Sequence, residues 1–259
     1  MSRSLRTLAS SLAATLLVAG CASAPPRSSP VAALRYWLPA DDAWTSGRTK
    51  GLNLRRADGT AVRLDPEVVT HFLVAREQIE ARSGLAARLA VVDLDAPNAF
   101  ATTRGSELVV AVSLAWIRAL GSDPDAIATT LGHEYAHHKL AHDPATRRTR
   151  EQAAAAGGQL VGTLLNFVVP YSGNLANLAI TGVARGFTRD EERAADELGV
   201  SWAVAAGYDP CGRIRTLEMY QRGAAGSAVT FLSTHPGVEE RMAYARTVAA
   251  REGRRCAGS

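Results

Sequence analysis

His133-Glu134-Tyr135-Ala136-His137 places two imidazoles and a carboxylate at helical spacing. A helix advances about 100° per residue, so the two histidines stand one turn apart on one face with Glu134 beside them. Neutral imidazole is a metal ligand, and a carboxylate next to a metal-activated water is a general base, so this is the donor pattern of a catalytic zinc site. With only 6 histidines in 259 residues, chance produces the pattern about 0.007 times.

Two histidines leave zinc short of ligands, because a catalytic site takes three protein donors and a water. One class of site takes its third ligand six residues after the second histidine, beyond a glycine that turns the chain. Leu140 and Asp143 occupy those two positions here, so nothing turns the helix and that class is excluded. Another class takes a glutamate from a separate helix. Arg189-Asp190-Glu191-Glu192-Arg193-Ala194-Ala195-Asp196 supplies one, with Glu192 and Asp196 four residues apart on a shared face. Glu192 is the expected third ligand. Asp196 is the expected acceptor for the outer N–H of a ligating histidine, fixing its tautomer. His138 and His142 lie roughly 140° and 180° around the helix from His133, which assigns them to the surface or to a supporting shell.

The elements that must carry these residues are legible from capping and periodicity. Asp123-Pro124 starts the motif helix, expected to run to about His142 before Asp143-Pro144. The Glu192 helix is expected over about 188–206, ending at Gly207, with further helices over 211–222 and from about Pro236. Val68, Val69, Phe72, Leu73 and Ile79 recur at helical spacing after Asp65-Pro66, predicting a helix over 66–82. A short helix is expected over 113–120. Asp58-Gly59 is the turn of a hairpin over 51–64. Leu89–Leu94 and Glu107–Val112 read as strands of a small antiparallel sheet, separated by a loop containing Pro97 and Gly105. The fold class is therefore α+β and mostly helical, in one domain spanning 35–259. Between Gln152 and Ala184 there is no charged residue. Pro170 to Gly173 split this segment into two arms, each too short to cross a bilayer; a hairpin on the core, a lid and a membrane-surface contact all remain open.

Arg3 and Arg6, the apolar stretch Leu8–Val18 and then Ala19-Gly20-Cys21 read as a secretory signal. Leu17-Val18-Ala19-Gly20-Cys21 resembles a bacterial lipobox, so residues 1–20 are expected to be removed and Cys21 lipidated, with 21–34 as a tether. By analogy with enterobacterial sorting, Ala22 favours the outer membrane, and the expected location is the periplasm. The formal charge of +4 loses two arginines on cleavage, so it argues for no nucleic-acid partner. Cys211 and Cys256 would be exposed to oxidising conditions there; a bridge between them and two free thiols are both open.

The chain resembles the zinc metallopeptidases of peptidase family M48, the HtpX- and CaaX-prenyl-protease-like family. Asn98-Ala99-Phe100-Ala101, Gly132–His137, Arg189–Asp196, and Ser233-Thr234-His235-Pro236 with Arg241 carry the resemblance over about 66–250. It implies a gluzincin domain in which His133, His137 and Glu192 bind one Zn2+ per chain and Glu134 is the catalytic base. It also implies a site role for His235, as oxyanion donor or as an inhibitory fourth ligand, and places Asn98 and Ala99 at an edge strand that pairs with extended substrate. The periplasmic lipoprotein branch is the most similar, which implies an endopeptidase for misfolded or unassembled envelope proteins. The competing reading is a latent, zinc-stabilised, chaperone-like binding lipoprotein.

Overall fold

The computed structural model describes residues 36–37, 41–56, 58–142, 187–223 and 235–256. The expected signal, the expected tether with Cys21 and the uncharged 152–184 segment lie outside the described residues. Seven helices are described: α1 (Asp41–Lys50), α2 (Pro66–Ser83), α3 (Leu114–Leu120), α4 (Pro124–Leu140), α5 (Arg189–Ala205), α6 (Cys211–Gly223) and α7 (Val238–Arg251). The strands are β1 (Tyr36–Trp37), β2 (Leu52–Arg55), β3 (Ala61–Leu64), β4 (Ala87–Val92), β5 (Ala99–Arg104) and β6 (Glu107–Ser113). No described helix is long and apolar enough to cross a membrane.

α4 is the central helix. It packs on α2, α5 and α6, and on strands β5 and β6, so every residue from Ala126 to His138 is buried. An amphipathic surface helix would bury one stripe; burial all round marks a helix in the middle of the domain. Its start is fixed by Asp123, whose side chain accepts from Ala126 N at 3.0 Å, with Pro124 in the first turn. It ends at Leu140, two residues before the expected end, because Ala141 adopts a left-handed conformation with φ 56° and terminates the ladder.

The four-stranded sheet has the order β1-β4-β6-β5. The two runs expected to pair antiparallel are β4 and β6, and they run parallel, with Leu89 opposite Val110 and Val91 opposite Val112. The expected loop between them contains β5, which turns back at Gly105 (φ 62°) and takes the antiparallel place beside β6. Among the described residues β5 therefore forms one edge of the sheet. The β2–β3 hairpin pairs as expected, Leu52 with Leu64. α1 was not anticipated. It buries Trp44, whose Nε1 donates to Leu89 O at 3.2 Å and whose ring lies 6.2 Å from Phe72.

Cys211 and Cys256 are joined by a disulfide, with Cα atoms 5.4 Å apart. It ties the first turn of α6 to the chain beyond α7, over a small apolar cluster of Ile214, Ala245 and Ala249.

Candidate metal centre

α4 and α5 bring the chemistry together, and they can because glycine faces glycine where they cross. A Cβ on Gly132 would overlap the Gly199 backbone, and one on Gly199 would overlap Gly132 and the His133 amide. α5 begins with a capping box in which Thr188 Oγ1 accepts from Glu191 N while the Glu191 side chain accepts from Thr188 N at 2.8 Å. This turns Glu191 to the helix start and leaves Glu192, fully buried, facing α4.

His133, His137, Glu192 and His235 each offer a ligand atom, all within 4.8 Å of one another, and all four residues are buried. His133 Nε2 lies 3.0 Å from His137 Nε2 and 3.5 Å from Glu192 Oε2, and His137 Nε2 lies 3.3 Å from Glu192 Oε1. Donors held about 2.0–2.1 Å from one tetrahedral ion sit roughly 3.4 Å from each other, so the spacing fits zinc. The donor set of two imidazoles and a carboxylate fits it chemically as well. Glu134 is 1% exposed and its Oε2 has no hydrogen-bond partner among the described residues, an arrangement that is costly unless a proton or a bound water completes it.

The supporting groups are charged and deeply buried. Asp196 Oδ1 lies 2.8 Å from His133 Nδ1, the outer nitrogen of that ring. Arg241 Nε donates to Asp196 Oδ2 at 2.6 Å, and its Nη1 lies 2.5 Å from Glu192 Oε2. His235 Nδ1 lies 2.8 Å from Glu192 Oε1. Burial pushes the Glu134 carboxyl above its ordinary range. Burial pushes Glu192 the same way, but His235 and Arg241 outweigh it and hold the carboxyl well below the ordinary range. Burial, with His133 beside it, lowers His137 to about 4. Burial opposes charge on His235, yet Glu192 overrides it and raises the imidazole to about 9.

Asn98 is buried and bonded to the last residue of β6: its N–H donates to Ser113 Oγ at 2.9 Å and its carbonyl accepts from Ser113 N at 2.8 Å. Ala99 begins the edge strand opposite Val112. His138 is not on the surface. It is 4% exposed, with Nε2 3.1 Å from Val109 O, because α4 has no solvent face. His142 follows the left-handed Ala141 and returns to His137, the two Nδ1 atoms 3.1 Å apart. Phe187, just before α5, stacks on the His137 ring at 3.8 Å. Sequence reasoning passed over Phe187 and also Arg213, a fully buried arginine on α6 whose Nε donates to Asp196 Oδ1 at 2.8 Å. A signal for Arg213 existed: it falls in line with Leu217 and Tyr220 on the buried stripe of α6, where an arginine needs a partner.

No curated protein matches the chain. Residues 73–249 match the family model described as Peptidase family M48, a stretch that includes α4, α5, α6 and His235.

Proposed function

Since the chain belongs to peptidase family M48, a family of zinc-dependent metallopeptidases with a gluzincin fold, we propose that it is a zinc endopeptidase acting on unfolded or unassembled proteins of the bacterial cell envelope. In this reading Cys21 carries a lipid that anchors the domain on the periplasmic side, most simply at the outer membrane. The observation that carries the enzymatic part is the convergence of His133, His137 and Glu192 at mutual distances of 3.0–3.5 Å beside a buried Glu134.

His133 and His137 would hold one Zn2+ through Nε2, and Glu192 through its carboxylate. When bound, the ion supplies Lewis acidity, making a water acidic and a peptide carbonyl electrophilic. Glu134, whose carboxyl is raised by burial, takes the proton from the attacking water and passes it to the leaving nitrogen. The Asp196 carboxylate lies 2.8 Å from His133 Nδ1, where its charge favours the tautomer with the proton on Nδ1 and the lone pair on Nε2, towards the site. His235, charged near neutral pH beside Glu192, carries a second N–H, on Nε2, of the type that stabilises a developing oxyanion. The edge strand β5, entered at Asn98-Ala99, offers backbone groups to an extended chain, which suits substrates chosen for being unfolded rather than for a side chain.

A second reading, a latent zinc-stabilised binding lipoprotein with chaperone-like action, is favoured by one observation: His235 completes a four-donor set within 4.8 Å, the closed composition of structural zinc. Zinc content does not separate the two. The test is hydrolysis of a reduced, unfolded protein by the zinc-loaded chain, abolished by a chelator and by Glu134→Gln with zinc retained. A protein that binds one zinc and cleaves no unfolded substrate, even as His235→Ala, refutes the peptidase reading. Labelling with a radioactive fatty acid, lost in Cys21→Ser, tests the anchor.

A further inference from the structure

Asp196 is held by two buried arginines where one suffices. Arg241, on α7, takes both of its oxygens, with Nε on Oδ2 at 2.6 Å and Nη2 on Oδ1 at 3.0 Å. That fork fixes the carboxylate in position and orientation by itself. Arg213, on α6 and 1% exposed, adds a second guanidinium: Nε donates to Oδ1 at 2.8 Å and Nη2 lies 2.7 Å from the same atom. Burying another cation is expensive, and holding Asp196 still does not require it.

Oδ1 is also the atom that faces His133 Nδ1 at 2.8 Å. Two guanidinium donors, Arg213 Nε and Arg241 Nη2, therefore already take the two lone pairs of that oxygen, and His133 Nδ1, close as it is, makes no hydrogen bond of good geometry with it among the described residues. An outer carboxylate increases the electron donation of a ligating histidine when it accepts from that ring's outer N–H. A guanidinium on the same oxygen takes part of that effect away.

We propose that Arg213 is a positioning residue that tunes the metal site, limiting how strongly Asp196 polarises His133 and so lowering the affinity of the His133–His137–Glu192 site for a divalent cation. The inference rests on the metallopeptidase reading above. The second argument is coulombic and has the same sign: a fixed positive charge in a buried cluster opposes an incoming cation, and its effect is screened little at this depth. Arg241 keeps Asp196 in place when Arg213 is altered, so the change is in charge and hydrogen-bond sharing rather than in geometry. What the site gives up in affinity it gains in Lewis acidity, because a ligand that donates less leaves more charge on the cation.

The test measures the zinc dissociation constant of the full chain by competition with a chromophoric chelator, for the wild type, Arg213→Met and Arg213→Lys. Arg213→Met keeps the length and loses the charge; it is expected to bind zinc at least about tenfold more tightly, with the acid limb of the peptidase pH profile moved upward. Arg213→Lys keeps the charge and is expected to stay within about threefold of wild type on the same scale. A purely structural arginine gives the opposite sign, since loosening α6 from α5 weakens the site. Equal or weaker zinc binding by folded Arg213→Met overturns the proposal. Arg213→Gln carries the same expectation if the methionine variant does not fold; failure of both neutral variants beside a folded Arg213→Lys assigns Arg213 to structure and also overturns it. A wild-type protein that takes up no zinc is a separate outcome, which sinks the metallopeptidase reading and this proposal with it.

Discussion

Gly199→Ala is the substitution that most directly tests how the site is positioned. A Cβ built on Gly199 would sit 2.4 Å from the carbonyl carbon of Gly132 and from the amide nitrogen of His133, where ordinary van der Waals contact begins at 3.4 Å. Backbone on both sides cannot swing away as a side chain can, so α4 and α5 must separate by roughly 1 Å. The metal donors are divided between the same two helices: His133 directly follows Gly132 on α4, and Glu192 lies seven residues before Gly199 on α5. Zinc–ligand distances tolerate about 0.2 Å. Glu192 has little freedom to follow, because Arg241 and His235 grip its carboxylate.

Stability changes little in comparison. Alanine gains about 1 kcal/mol over glycine in helix propensity, against an overpacking cost of about 1–3 kcal/mol. The expected result is a folded protein with a melting temperature a few degrees lower and zinc affinity reduced about 100-fold, with a similar loss in kcat/KM. Chelator competition measures the first loss and cleavage of an unfolded protein the second. Gly132→Ala approaches the same gap from α4 and should behave alike. A folded Gly199→Ala protein that holds zinc within threefold of wild type would refute the claim that this crossing sets the metal geometry.

Other outcomes follow from the same contacts. His235→Ala should raise basal proteolysis if the imidazole is an inhibitory fourth ligand and abolish it if the imidazole binds the oxyanion; unchanged activity would remove His235 from the site. Opening the Cys211–Cys256 bridge, which spans 45 residues, should cost about 4 kcal/mol in the chain-entropy model, and calorimetry of Cys211→Ser with Cys256→Ser should show melting lowered by roughly 10 °C. Partial burial works to raise the Asp123 carboxyl, but Arg215 and the Ala126 N–H outweigh it and hold the group below 3.8. Its contribution to α4 is thus fully present above 3.8 and is lost as pH falls through the depressed value, so acid unfolding of Asp123→Asn should begin from a lower baseline and show a shallower fall below that pH.

The parts of the site that could be read from sequence are those with a local rule behind them. His133 and His137 one turn apart, and Glu192 four residues before Asp196, are statements about helix geometry that any helix would honour. Glu191 and Glu192 are adjacent and chemically identical; the spacing to Asp196 selected Glu192, and the capping box that the structure forms between Thr188 and Glu191 is a local reason the sequence reading did not use. The parallel pairing of β4 with β6 had no such signal, because it depends on β5 inserting antiparallel beside β6. β5 itself, Ala99 to Arg104, is short of β-branched aliphatic residues and follows Pro97, so it read as loop. α1 carries Thr45, Ser46, Gly47 and Thr49, weak helix formers, and is held by the burial of Trp44 instead. The angular argument turned His138 away from His133 and left surface and supporting shell both open; the structure buries it against Val109 O because α4 is surrounded.

The same burial makes the domain's stability depend on its ligand. Glu134, Glu192 and Asp196 are opposed inside the protein by Arg213, Arg241 and the charged His235, all at most 3% exposed, so with ionised carboxylates the cluster is balanced three against three. Burying ions costs several kcal/mol each unless the geometry holds every pair together, and a cation held by His133 and His137 on α4 and Glu192 on α5 would tie together the two helices that carry them. Removing zinc should therefore destabilise the α4–α5 core itself and not merely silence the peptidase. With free zinc at 100 times its dissociation constant the linkage is worth about 2.7 kcal/mol, which for a chain of this size corresponds to melting about 5–10 °C lower after chelation. Calorimetry with and without chelator measures the shift. A zinc-free protein that melts together with the zinc-bound one would show that the ion does not brace α4 against α5.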